Sequence, residues 1–168
     1  MRVTAGLDRM LSAYKYRTYP VGVQEMRLKR SLRALCWLYN MLRAEKIRQH
    51  RLNHTNLTLT NLRAMALEIR RSNPELLQVH SQAVQNVADR VYLAFQNYFE
   101  GRARFPHAKK LKDYRSFVYS QSGFRLEVGR LQLSKVGKLR VFQHRPLQGA
   151  IKRLIIKRQR PTIEIVGL

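Results

Sequence analysis

Acidic residues, cysteines and long apolar runs are all scarce in this chain of 168 residues. The single cysteine, Cys36, excludes a disulfide framework and a thiolate zinc site within the chain. No apolar run approaches the roughly 20 residues that a membrane-spanning helix needs. The first residues contain no apolar signal-peptide segment, so we expect a cytoplasmic protein whose native start is either Met1 or Met10.

The balance of charge is strongly basic. Ten acidic residues stand against 33 basic ones, and the formal net charge is +23. Such a charge repels itself unless a polyanion neutralises it, which favours nucleic acid first and an anionic membrane surface second. The basic groups are densest in residues 101–160, where Asp113 and Glu127 are the only acids. That segment is therefore the stronger candidate for contact with a polyanion.

Periodicity divides the chain into a strand, a set of helices and a β-rich part. Tyr14, Tyr16 and Thr18 alternate with Lys15, Arg17 and Tyr19. This period of two predicts a strand with a basic face, and Pro20 ends the strand. Apolar residues at three- and four-residue steps predict a helix from about Val23 to about His50. A shorter helix capped by Thr58 or Thr60 follows, and then one helix from Asn73-Pro74-Glu75 through Tyr98 to a stop at Gly101.

The β-rich part begins with a short strand at residues 117–119. Alternation at residues 131–133 and 139–141, around a turn at 134–138, predicts a hairpin. Two more strands are predicted after Gly149 and after Pro161. With the first strand joining them, the sequence predicts an α+β fold in which the strands close a sheet or a barrel around inserted helices.

An ordered set of short motifs runs through the chain. Its first members are Tyr19-Pro20-x-x-x-Gln24, Leu38-Tyr39-Asn40, Ser81-Gln82-Ala83-Val84-Gln85, Ala94-Phe95-Gln96-Asn97-Tyr98-Phe99, Gly101 and Phe105-Pro106-x-x-Lys109. Its last members are Leu133-x-Lys135-Val136-Gly137-Lys138-Leu139-Arg140-Val141 and His144-Arg145-Pro146-Leu147-x-Gly149-x-Ile151-Lys152. In this order and spacing, the chain from about Met10 to Arg160 resembles the N-terminal half of the TnpB/OrfB family. The proteins of this family are encoded by insertion sequences and have been described as transposases with a helix-turn-helix domain. The family is similar to compact type V CRISPR effectors.

The resemblance implies an architecture and a set of partners. A small β-barrel, called the wedge domain, would comprise residues 10–20 and 102–168, and it would be split by a helical recognition domain at residues 21–101. Family members bind a guide RNA transcribed from the transposon end. They recognise a short transposon-adjacent motif in duplex DNA and cleave DNA with a RuvC-like nuclease domain.

The nuclease part of the family is not evident in this sequence. In the family it follows the second barrel segment and carries acidic metal ligands and a four-cysteine zinc finger. The ten acids here are scattered, whereas a two-metal nuclease needs several carboxylates that converge on its ions. We therefore expect a truncated or split relative, or a fragment of one, that has no catalytic residues, metal or cofactor of its own.

The candidate nucleic-acid-binding residues are mostly basic, because phosphate contacts by Lys and Arg release counterions and strengthen binding. In the helical part they are Arg27 and Arg30. In the barrel part they are Tyr14, Lys15, Arg17, Lys109, Lys110, Lys112, Arg115, Lys135, Lys138, Arg140, His144, Arg145, Lys152, Arg153, Lys157 and Arg158. His144 either contacts RNA or packs, and the sequence leaves both open.

Aromatic residues interleave with these cations and could stack on unpaired bases. They are Tyr114, Phe117, Tyr119 and Phe142. Taken singly, each is predicted to lie in the core instead.

The sequence predicts a module that binds a structured guide RNA and transposon-adjacent DNA. One alternative is half of a split RNA-guided DNA endonuclease, whose other half is a separately encoded partner. A second is a sequence-specific DNA-binding transposase accessory protein or repressor. A third is a transposon remnant that folds poorly because apolar surface is left exposed.

Overall fold

The computed structural model describes residues 12–158 and 162–167, so Met1, Met10 and Pro161 lie outside the described residues. The helices are α1 (Gly22–Asn53), α2 (Leu59–Ser72), α3 (Pro74–Leu77) and α4 (Ser81–Phe99), and a 3-10 turn spans Leu111–Asp113. The strands are β1 (Ser12–Tyr19), β2 (Ser116–Ser120), β3 (Phe124–Glu127), β4 (Arg130–Leu133), β5 (Gly137–Phe142), β6 (Ile151–Lys157) and β7 (Thr162–Gly167). This order of strand, helices and strands confirms the α+β class.

The first two helices follow the sequence signals closely. In α1 the predicted apolar stripe begins at the partly buried Leu28 and continues through Leu32, Leu35, Leu38, Tyr39 and Leu42, which are buried. Thr58 caps α2, since its hydroxyl accepts a hydrogen bond from the Asn61 backbone N–H at 3.2 Å. The Asn61 side chain accepts one in return from the Thr58 backbone N–H at 3.0 Å. This reciprocal cap supplies partners for donors that a helix start otherwise leaves unpaired.

The prediction of one helix from Asn73 to Tyr98 is wrong. Asn73 does cap a helix, but α3 ends after four residues and α4 starts anew at Ser81, with extended backbone at His80. The Arg70 guanidinium donates two hydrogen bonds, at 3.1 and 3.2 Å, to the Val79 carbonyl that the break exposes. Both Leu76 and Val79 are buried, so tertiary contacts outweigh the local helical pattern here. As predicted, the chain leaves α4 through Gly101, whose φ of +73° is one that glycine adopts readily.

The seven strands form one antiparallel sheet in the order β2-β6-β7-β1-β5-β4-β3. The predicted hairpin is confirmed by β4 and β5, in which Leu131 pairs with Leu139. Strand β1 joins the β-rich part as expected, because it pairs with β5 on one side and β7 on the other. Strand β3 was not predicted. A wedge-like barrel, and its division from a helical domain, stay predictions.

The core lies between the helices and the inner face of the sheet. It is continuous from the buried leucines of α1, through Val84 and Val91 of α4, to Leu139 of β5 and Leu154 of β6. Helix α4 packs against α1, α2 and β2. Covering the inner face in this way leaves the other face of β1 and β5 toward solvent. Among the described residues, no helix combines the length and apolar character that crossing a bilayer requires.

Candidate nucleic-acid interface

Strand β1 separates buried side chains from exposed cations. Tyr14, Tyr16 and Thr18 are buried, whereas Lys15 and Arg17 are exposed. Because successive residues of a strand point to opposite faces, the two cations lie on the outer face of the sheet. The period-two pattern of the sequence therefore placed both of them correctly.

Pairing between strands extends this basic face across the sheet. Tyr19 lies opposite Arg140, and Arg140 lies opposite Arg130 on β4. In the other direction Arg17 pairs with Thr162, which pairs with Lys157 of β6. Paired residues share a face, so these side chains form one surface. We call it the outer cationic face, and its members are Lys15, Arg17, Arg125, Arg130, Lys138, Arg140, Arg153 and Lys157.

Few acids oppose this charge. Glu127 of β3 forms an ion pair with Arg125 at 3.2 Å. Glu164 lies opposite Lys15 in the β1–β7 register. Arg17, Lys138 and Arg140 lie at the centre of the face, and a positive charge of this kind favours a phosphate backbone as ligand.

Two exposed aromatic rings stand among these cations. Tyr19 is 46% exposed, and the guanidinium carbons of Arg17 and Arg140 lie 5.5 and 5.9 Å from its ring centroid. Phe142 is 60% exposed and lies opposite Arg17. The prediction that Phe142 lies in the core is wrong, because its position in β5 alternates with the buried Leu139 and Val141. The core prediction is confirmed for Tyr114, Phe117 and Tyr119, all of which are buried.

A second group of predicted residues lies where α1 meets the β4–β5 turn. Arg27 donates a hydrogen bond to the Val136 carbonyl at 3.1 Å, and the Gln24 amide donates one to the Lys138 carbonyl at 2.5 Å. These contacts tie the helix to the hairpin. Arg30 pairs with Glu75 of α3 at 3.4 Å. Arg27, Arg30 and the exposed Lys135 line a cleft of about 630 Å³ between α1, α3 and the turn.

A third group lies on the connection between α4 and β2. The backbone N–H and carbonyl of Lys109 form hydrogen bonds with the Asn40 side chain, at 2.8 and 2.9 Å. The Arg158 backbone N–H donates to the Arg115 carbonyl at 2.7 Å. Lys110 and Lys112 are exposed between these two anchors. The group is a basic edge beside β2, separate from the centre of the outer cationic face.

Three predicted residues lie on the inner side of β1. The Arg145 guanidinium lies 4.4 Å from the ring centroid of Tyr14 and donates to the Ala13 carbonyl at 3.0 Å. His144 meets the buried Tyr16 edge-on at 5.5 Å. Tyr14 is only 7% exposed, so its ring serves as packing for Arg145. Burial raises the pKa of Tyr16, whose hydroxyl donates to the Arg145 carbonyl at 2.9 Å.

Lys152 and Arg153 are both exposed at a bulge in β6, opposite the end of β7. The predicted residues thus fall into several groups, and the structure unites those of β1, β5 and β6. Sequence reasoning did not single out Arg125 and Arg130. Their period-two alternation with Leu126 and Leu131 was the signal that could have found them. Within residues 12–158 and 162–167, no three His, Cys, Asp or Glu side chains come together as a metal ion would require.

The structure defines an α+β protein whose basic sheet face favours polyanions as ligands. Over 152 residues it is 26% identical to a protein of Escherichia coli (strain K12) named "Putative RNA-guided DNA endonuclease InsQ". Over 145 residues it is 27% identical to a Streptomyces pristinaespiralis protein named "Putative RNA-guided DNA endonuclease". These two relatives confirm the resemblance to the TnpB/OrfB family. No protein-family model matches the chain.

The alignments cover most of this chain but a minority of the relatives. They include 88% and 84% of the chain, and 38% and 36% of the two curated proteins. The chain therefore spans less than two-fifths of the length of the curated relatives that it matches.

Proposed function

We propose that this chain is the nucleic-acid-binding module of a transposon-encoded, TnpB-like protein and that it binds a structured guide RNA. The observation that carries the proposal is the outer cationic face, where cations from β1, β4, β5 and β6 share one surface. Two relatives named as RNA-guided endonucleases support RNA as the polyanion. The chain itself supplies binding and no nuclease site.

Binding rests on phosphate neutralisation together with shape. An RNA backbone laid across the sheet meets Lys15, Arg17, Lys138 and Arg140 in two adjacent strands. Transposon-adjacent duplex DNA contacts the second group, in the cleft that Arg27, Arg30 and Lys135 line between α1 and the β4–β5 turn. Side chains from both the helical part and the sheet meet in that cleft.

The direct test identifies the nucleic acid that the protein carries. The chain is purified at moderate salt, the bound nucleic acid is digested with RNase or DNase, and what survives each treatment is sequenced. We expect one abundant, structured RNA species. Random DNA, or nothing after a modest salt wash, would show non-specific electrostatics only and would contradict the proposal.

The absence of a nuclease site has its own test. The chain is incubated with the RNA that it carries, Mg²⁺ and a plasmid that contains the matching sequence beside candidate adjacent motifs. We expect binding without cleavage. Cleavage by this chain alone would contradict that part of the proposal, whereas cleavage only after a separately encoded nuclease half is added would favour the split-enzyme alternative.

A further inference from the structure

Two aromatic rings on the outer cationic face stand diagonally to each other. Phe142 pairs with Arg17, and two residues further along both strands Arg140 pairs with Tyr19. Diagonal neighbours on one face of an antiparallel pair are about 7–8 Å apart. The four residues thus form a compact square in which rings and guanidinium groups alternate.

Both rings lie on the exposed side of strands whose aromatic and aliphatic residues on the other side are buried. Phe142 projects from a strand whose other apolar residues, Leu139 and Val141, are buried. A phenyl ring left 60% exposed keeps apolar surface in water unless a ligand covers it. Tyr19 is 46% exposed, and two guanidinium groups lie 5.5 and 5.9 Å from its ring centroid. Phe142 lies opposite one of these two arginines, Arg17, so both exposed rings have a cation as their neighbour on the strand pair.

That combination matches an unpaired nucleotide better than a duplex. A duplex presents phosphates and groove edges to a flat protein surface, while its base faces are stacked inside. An unpaired nucleotide offers a base face and a phosphate within one residue, and aromatic rings beside Arg or Lys bind both parts together. A protein partner rich in acids would satisfy the guanidinium groups but would leave the flat rings without a matching surface.

We propose that Tyr19 and Phe142, with Arg17 and Arg140 between them, form a stacking platform for unpaired bases of the bound RNA. Phe142 is the principal ring and Tyr19 is the second. The two arginines hold the phosphates that flank the stacked bases. The proposal rests on the proposed function for its RNA ligand, and it assigns the platform to single-stranded segments of that RNA.

The test compares single-stranded and duplex probes on the full 168-residue chain. Fluorescence anisotropy measures the affinity for a labelled twelve-residue oligoadenylate RNA, for its DNA counterpart and for an RNA duplex of the same length. Loss of one stacked base lowers affinity about tenfold. We therefore expect Phe142→Ala to weaken oligoadenylate RNA binding about tenfold, with duplex binding almost unchanged. The salt dependence should also stay the same, because no charge is removed.

A matched control and a conservative variant accompany this change. Phe99, which lies at the end of α4 and is 66% exposed, has no place on the outer cationic face, so Phe99→Ala should leave both affinities unchanged. Phe142→Tyr keeps the ring and should bind like the original protein. Thermal melting confirms that each variant is folded before its affinity is compared.

Each outcome decides the proposal. A selective loss with Phe142→Ala, rescued by Phe142→Tyr, supports the platform, whether it is seen with RNA alone or with both RNA and DNA. A loss confined to the DNA probe would overturn the assignment to RNA. Equal losses for single strand and duplex, or no loss, would overturn the platform itself. Failure to recover a specific cellular RNA would instead refute the proposed function and leave a positive oligonucleotide result standing.

Discussion

The helical part and the outer face of the sheet use their basic residues differently. In the helices, several cations pair with acids: Lys29 pairs with Glu25 at 2.9 Å, and Arg63 pairs with Asp89 at 2.7 Å. On the sheet, Arg17 and Arg140 lie beside an exposed ring, with Glu127 paired to a different arginine. The two regions are both basic, but they differ in where the acidic side chains lie relative to the cations.

Lys46 of α1 is a basic residue whose ammonium group is hydrogen-bonded within the protein. It is 5% exposed, and its ammonium donates to the Asn56 side chain at 2.7 Å and to the Leu57 carbonyl at 2.8 Å. The ring of Phe95 lies 5.4 Å from the same nitrogen. Burial lowers the pKa of Lys46. Its hydrogen bonds to Asn56 and Leu57 fix the loop between α1 and α2. A basic residue can therefore belong to the fold rather than to a ligand site.

The largest expected effect comes from neutralising the centre of the outer cationic face. Replacing Arg17, Lys138 and Arg140 together with glutamine removes three phosphate contacts. RNA affinity should fall about 100-fold near 0.1 M salt, and the slope of log affinity against log salt should shrink by about 2. Filter binding at several salt concentrations measures both quantities.

The control for this triple variant removes the same charge from the helices. Lys29, Arg48 and Arg63 are exposed and pair with acids, so replacing them with glutamine should change affinity less than about fivefold. Equal losses in the two triple variants would show that total charge, rather than the sheet face, determines binding.

The next effect is a loss of stability, without a loss of RNA affinity, when a buried cation of the helical part is replaced. Lys46→Met keeps the bulk of the side chain but leaves the carbonyl of the buried Leu57, and the exposed Asn56 side chain, without their donor. The free energy of unfolding should fall by about 2 kcal/mol, since buried polar groups without a partner are costly. Urea unfolding followed by circular dichroism measures the change. RNA affinity of the folded variant should stay as it was.

Lys29→Met is the matched control for Lys46→Met, because its ion pair with Glu25 is exposed and contributes about 0.3–0.5 kcal/mol. A similar loss of stability in both variants would contradict a structural role specific to Lys46.

The smallest effect is a pH dependence where the two regions meet. The ring of His80, at the start of α4, stacks on Tyr119 of β2 at 5.4 Å. Burial, together with the charges of Arg70 and Lys135, lowers the pKa of His80 below that of the unfolded chain. The unfolded state therefore binds the proton more readily, and this contribution to stability is lost as pH falls through about 6.5 and below.

Unfolding free energies at pH 7.5 and pH 5.5 measure this dependence. In His80→Gln the unfolding free energies at the two pH values should differ by less than in the original protein, whatever the substitution does to stability at either pH. An undiminished difference in the variant would assign the pH dependence to other groups.

The sequence predicted the elements whose pattern is local. Strand β1, helix α1 and the β4–β5 hairpin each carry a clear period and appear where it predicts them. The break between α3 and α4 was missed because it depends on distant contacts. A Cβ added to Gly123 would lie 2.6 Å from the His80 ring, so the β2–β3 turn closes tightly over the residue where the helix is broken. Strand β3 was missed because its alternation extends over only four residues, and pairing with β4 completes the strand.

Local patterns also predict on which face of the sheet several of the candidate residues lie. Alternation is enough to place Lys15, Arg17, Lys138 and Arg140 on one face once the strands are known. The roles of Arg27 and Arg145 were not accessible, because both guanidinium groups donate to carbonyls more than 100 residues away in the chain. Only the folded chain shows which guanidinium groups also donate hydrogen bonds to distant backbone carbonyls.

The most direct measurement is a map of ultraviolet cross-links between the protein and its co-purified RNA. Cross-linked peptides, identified by mass spectrometry, report which side chains touch bases. Our account predicts cross-links in residues 12–19 and 137–145, with Tyr19 and Phe142 the principal sites. Cross-links confined to residues 22–100 would contradict it, because the RNA would then lie on the helices and not on the outer face of the sheet.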